Sequence, residues 1–153
     1  MNILYLLMAL AGGAGLSVQA AVNSRLCAGF GGQPLIASLI SFTIGAFCLG
    51  IVSLVQGDWQ QVAAGFAQQS WWRWTGGIIG AIFVFTTIFM APKIGITNAI
   101  FLFIVGQLTA GMLIDSFGLI QMVQRPVYWW KYTGLGVMLM GLLLFMFGEK
   151  CLS

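Results

Sequence analysis

The charged residues of this chain stand far apart, and what lies between them is mostly apolar. There are six Lys or Arg, three Asp or Glu and no His in 153 residues. The intervals 1–24, 26–57, 74–92, 94–114 and 132–148 carry no charge. A helix needs about 20 apolar residues to cross the hydrocarbon core of a bilayer, and each interval reaches that length or comes close. Soluble domains are about a quarter charged, whereas this chain is 6% charged and 60% hydrophobic. Its exterior therefore faces lipid. Five spans use about 100 residues, which leaves room for turns and ends but not for a soluble catalytic domain.

Turn chemistry places the breaks. The spans are expected at about 3–28, 35–56, 74–91, 95–115 and 131–148, in a single five-helix membrane domain covering 1–153. The run Gly29, Phe30, Gly31, Gly32, Gln33, Pro34 separates the first two spans. The third is expected to end at Pro92, and the short link Lys93, Ile94, Gly95 makes the third and fourth antiparallel neighbours. Between Asp58 and the third span, Trp59, Val62, Ala63, Phe66 and Ala67 share one helical face, which predicts a short interfacial helix at 59–70. Trp71, Trp72, Arg73 and Trp74, and then Tyr128, Trp129, Trp130, Lys131 and Tyr132, mark headgroup level, where amphipathic rings and snorkelling cations settle. Met1 to Leu10 has no Lys or Arg, so the first span reads as a helix and not as a cleaved leader.

Several function classes drop out. Cys27, Cys48 and Cys151 are widely spaced and read as packing residues, neither a metal site nor a disulfide framework. The basic residues are scattered singly, as anchors and topology signals, and do not form a nucleic-acid surface. No His is present, the three carboxylates Asp58, Asp115 and Glu149 stand apart, and hydrolytic, metal and phosphoryl-transfer motifs are absent. The expectation is therefore a non-enzyme without cofactor or metal.

The placement of the basic residues is itself informative. With the N-terminus inside, Arg73, Arg125 and Lys131 lie on one side of the membrane and Arg25, Lys93 and Lys150 on the other. The positive-inside rule then assigns no orientation. This balance suggests dual topology, with copies inserted both ways and paired antiparallel.

Polar residues inside the spans are the candidates for function, because unpaired donors and acceptors are costly in hydrocarbon. In the first span Gly12, Gly15, Gln19 and Asn23 form one stripe; in the fourth, Gln107, Gly111 and Asp115 repeat the spacing, with Thr97 and Asn98 at the other end. Gln19, Asn23, Asn98, Gln107 and Asp115 are the substrate-binding candidates, and Asp115 is the candidate proton carrier. The competing reading is hydrogen-bonded glue between helices. Gly12, Gly15, Gly45, Gly76 and Gly80 read as helix-packing positions, Gly76 and Gly80 forming a G-x-x-x-G and Ser41 and Gly45 standing at the same spacing. In an antiparallel pair, Gln107 and Asp115 of one copy would meet Gln19 and Asn23 of the other.

Taken together, Gln19-x-x-x-Asn23, the run Trp74, Gly76, Gly77, Gly80, Ala81, the Lys93-Ile94-Gly95 turn, and Gly106-Gln107-Leu108 leading to Leu113-Ile114-Asp115-Ser116-Phe117-Gly118 resemble the YdcZ-like family of short five-helix proteins in the drug/metabolite transporter superfamily. The resemblance implies an all-α protein of the bacterial inner (cytoplasmic) membrane, half of an inverted-repeat transporter completed by an antiparallel homodimer. It implies transport of a small polar or amphipathic molecule by alternating access. The last helix, with Gly134, Gly136 and Gly141, is compatible with a role in dimerisation. Small multidrug-resistance relatives couple export to protons through a glutamate in helix one; here Gln19 is the nearest polar group at that depth, so proton-coupled exchange of cationic drugs is not carried over. Two alternatives remain open on the residues: a small dual-topology channel, and an accessory subunit that pairs with a paralogue.

Overall fold

The computed structural model describes residues 2–152, with side chains described from 2 to 148. The side chains of Glu149, Lys150 and Cys151, which enter the charge and cysteine readings, lie outside that range. Among the described residues, five helices are long and apolar enough to cross a membrane. They fall into two compact units divided after Lys93.

The first unit opens with α1 (Ile3–Gly29), capped by Asn2, whose side-chain oxygen accepts from the Leu4 amide at 3.1 Å. At 1.5 Å per residue α1 is about 40 Å long, more than the hydrocarbon core of about 30 Å. It ends where Gly31 and Gly32 take φ of +67° and +77°, a left-handed pair that L side chains rarely adopt. Pro34 then starts α2 (Pro34–Gln56) at a position where its missing N–H costs nothing. Asp58 caps α3 (Trp59–Phe66) by accepting from the Gln61 amide at 3.1 Å.

The helix α3 is thus shorter than the interfacial helix expected at 59–70, because the chain leaves α3 after Phe66 and re-enters as a 3₁₀ turn at Trp71–Trp74. Phe66 and Trp74 meet there with ring centroids 4.8 Å apart. The helix α4 (Thr75–Ile94) does not stop at Pro92 as expected. Pro92 forgoes one backbone hydrogen bond, but it sits in the last turn, where Lys93 complements the helix C-terminus. The Lys93 ammonium lies 3.3 Å from the centroid of the Phe89 ring.

Small residues let these helices approach. Cys27 of α1, Ala37 of α2, and Val84 and Ile88 of α4 form the core of the unit, with Leu26 and Phe83 packed against it. Ala37 and Ile88 are 0% and 1% exposed. Most other apolar side chains point outward, Val55 being 81% exposed, as lipid-facing residues must.

The second unit is α5 (Ile96–Phe117) packed on α6 (Trp129–Leu152). Phe101 and Phe145 meet edge to face at 5.8 Å across this pair. Gly118 closes α5 in the left-handed region, φ +60°, with its N–H on the Ile114 carbonyl. The following loop folds back on the helix end. The Arg125 amide donates to the Asp115 carbonyl and Gln124 Nε2 to the Ser116 carbonyl, both at 2.8 Å.

Candidate functional site: two polar clefts

The polar side chains within the spans divide into two groups. Most hydroxyls bond their own helix four residues back: Ser38 to Pro34, Thr43 to Leu39, Ser53 to Leu49, Thr87 to Phe83 and Thr109 to Val105, at 2.6–2.8 Å. Such groups demand nothing further of their surroundings and can face lipid. Ser24 Oγ is buried without a partner and lines neither cleft; Gln19, Asn23, Ser41 and Gln107 also make no such bond among the described residues. These four line clefts.

In the first unit, a cleft of about 750 Å³ runs between α1 and α2. Val18, Val22, Leu26 and Ile44 supply apolar wall, while Gln19, Asn23, Ser41 and Arg25 supply the polar groups. Asn23 is 5% exposed. A second recess of about 250 Å³ shares Gln19 and Ser41 and is completed by Phe42, Gly45, Ala46 and Leu49. From Gln19 to the end of α1 at Gly29 is about 15 Å along the axis, half the hydrocarbon thickness.

In the second unit, Gln107, Gly111 and Asp115 of α5 face Lys131, Gly134 and Met138 of α6 across a cleft of about 350 Å³. Gln107 stands about 15 Å from the end of its helix, at the same depth as Gln19 in its own. Asp115 and Lys131, from the last turn of α5 and the first of α6, share this cleft without forming an ion pair among the described residues. Both charges remain available to a bound molecule.

Of the stripes expected from the spacing, Gly15, Gln19 and Asn23 line one cleft and Gln107, Gly111 and Asp115 the other, while Gly12 lines neither. Asn98 joins neither. Its amide donates to the Ile94 carbonyl at 2.8 Å, closing the first turn of α5. Spacing alone does not reveal the cleft residues on the facing helices, Ser41 of α2 and Lys131 of α6, nor that Arg25 of α1 joins the cleft. Ser41 stands before Gly45 and Lys131 before Gly134 at helical spacing, and small residues at that spacing leave room for a cleft.

The glycines expected to pack closely are placed as follows. A Cβ added at Gly12, Gly15, Gly45 or Gly76 meets nothing within 4 Å, while at Gly80 it meets the Phe42 ring at 3.7 Å. Gly15 and Gly45 line the α1/α2 recesses.

Residues 4–144 match the family described as "Putative inner membrane exporter, YdcZ". The chain belongs to the YdcZ family. It is accordingly a multi-pass inner membrane protein of an exporter family. Comparison with curated proteins and with solved structures finds no match. Within the YdcZ family, then, this chain offers five spans and two clefts whose polar groups are not consumed by the fold.

Proposed function

We propose that this YdcZ-family protein is a secondary transporter that exports a small polar or amphipathic molecule by alternating access, working as an antiparallel homodimer of dual topology. The single five-helix domain is then half of an inverted-repeat transporter, and a second copy in the opposite orientation supplies the other half. The observation that carries this reading is the division of intramembrane polar groups. Most hydroxyls bond their own helices, whereas Gln19, Asn23 and Gln107 make no hydrogen bond among the described residues and line clefts with largely apolar walls. A group that is costly to leave unpaired in lipid is retained for a ligand that pairs with it transiently.

In this scheme Gln19, Asn23, Gln107 and Asp115 bind substrate, Asp115 is the proton carrier if export is proton-coupled, and Asn98 serves the start of α5. The open faces at Gly12 and Gly76 suit the close approach of a partner helix. The even division of basic residues supports insertion in both orientations.

Reconstitution into liposomes tests the mechanism. A screen of metabolites and amphipathic ions on a solid-supported membrane identifies a transported compound, and preloading with that compound should then accelerate uptake of its labelled form. Flux without such counterflow would show a channel instead.

A further inference from the structure

The two clefts differ in charge. The α5/α6 cleft holds one carboxylate and one ammonium, whereas the α1/α2 cleft holds the guanidinium of Arg25 and no carboxylate. Arg25 makes no ion pair and no hydrogen bond among the described residues. It stands about 6 Å from the end of α1, while Asn23 and Gln19 follow about 3 Å and 9 Å further from that end along the same helix. Asn23 is 5% exposed and its amide is unpartnered, although it lines the cleft. An unpartnered amide that lines the cleft is suited to a guest that can bond it. The cleft volume of about 750 Å³ falls within the range of small-molecule sites.

We propose that the α1/α2 cleft binds an amphiphile with a single anionic head, the head at Arg25 and a hydrogen-bonding group on its apolar body at Asn23 and Gln19. As a statement about substrate class this rests on the transport reading above; as a binding site it does not. A cation of the same shape meets Arg25 with no carboxylate in the cleft to offset it. Two sources share the required chemistry: a free organic acid, and an anionic phospholipid entering from the bilayer.

The test uses the purified full-length chain in phosphatidylcholine nanodiscs, titrated calorimetrically with three probes of one shape. 4-Hydroxycinnamate carries the anion and a distal hydroxyl, cinnamate the anion alone, and tyramine a cation with the hydroxyl. 4-Hydroxycinnamate should bind about tenfold tighter than tyramine, and Arg25→Gln should weaken both acids about tenfold, the effect of one charge-assisted hydrogen bond at its lower end. Asn23→Leu should bring 4-hydroxycinnamate, about fivefold tighter than cinnamate in the parent, down to the level of cinnamate. Arg25→Lys, which keeps the charge, should keep acid binding above that of Arg25→Gln and so separates lost charge from lost folding. Equal or tighter binding of tyramine, no binding of either acid, or acid binding indifferent to Arg25→Gln would overturn the proposal.

Repeating the titration in nanodiscs containing phosphatidylglycerol assigns the source. Competition identifies the lipid as occupant, and its absence identifies the free acid; both outcomes support the anionic chemistry. Acid binding without counterflow of the acid would keep the site and remove the transport reading. Counterflow of tyramine without acid binding would do the reverse.

Discussion

Replacing Asn23 by Leu should make the protein more stable and less able to bind. The amide is 5% exposed and makes no hydrogen bond among the described residues. Leucine branches at the same carbon, so it occupies similar space, and its extra bulk can enter the adjoining cleft of about 750 Å³. Removing an unpaired buried amide recovers part of a penalty of about 1–3 kcal/mol. Some of that penalty is offset by the small residual contact of the amide with the cleft, so a net gain of about 1 kcal/mol is expected. For a chain of this size that corresponds to a rise of about 2–4 °C in unfolding temperature. Thermal unfolding of purified protein in detergent, followed by intrinsic tryptophan fluorescence, measures the shift. If Asn23 were interhelical glue, the same substitution would destabilise by about 0.6–2 kcal/mol. A fall in unfolding temperature would therefore refute the view that this amide is held in reserve for a ligand.

Asp115→Asn should abolish any pH dependence of transport while leaving the oligomer intact, as judged by flux at several pH values and by chromatography in detergent; unchanged pH dependence would clear Asp115 of proton coupling. Gly118→Ala should cost about 1–2 kcal/mol, because φ is +60° and the new Cβ would stand 3.2 Å from the Met122 carbonyl oxygen; an unaltered unfolding temperature would contradict that close approach. Ile88→Ala, at a side chain only 1% exposed, should destabilise by about 2–5 kcal/mol in the same unfolding assay.

What could be read in advance follows from which physical constraint was local. Spans were legible because a charge in hydrocarbon is costly wherever it falls, so the gaps between charges mark helices without knowledge of their neighbours. The exit at Gly31 and Gly32 was legible for the same reason, since a left-handed backbone calls for glycine locally. Pro92 misled because a proline in the final turn sacrifices little, so α4 runs on to Ile94. The loop after Gly118 could not be foreseen: Ile120 and Gln121 both take positive φ, held in a segment tied back to α5 through Gln124 and Arg125. The stripes of Gln19 with Asn23 and of Gln107 with Asp115 were legible from helical spacing alone. Their counterparts Ser41 and Lys131 were not, because which face of α2 meets α1, and which face of α6 meets α5, is decided by packing between helices. Asn98 shares a residue type with the cleft amides but lies in the first turn of α5, where the carbonyl of Ile94, just before the helix, claims it.

The central claim is that one chain inserts in both orientations and completes itself with an inverted copy. A pair of reporters fused after Ser153, one active only in the cytoplasm and one only in the periplasm, tests it most directly. The account predicts comparable signal from both reporters, shifted to one side when Arg25 and Lys93 are replaced by glutamine and the count of basic residues becomes uneven. Signal from a single compartment in the unaltered chain would contradict it.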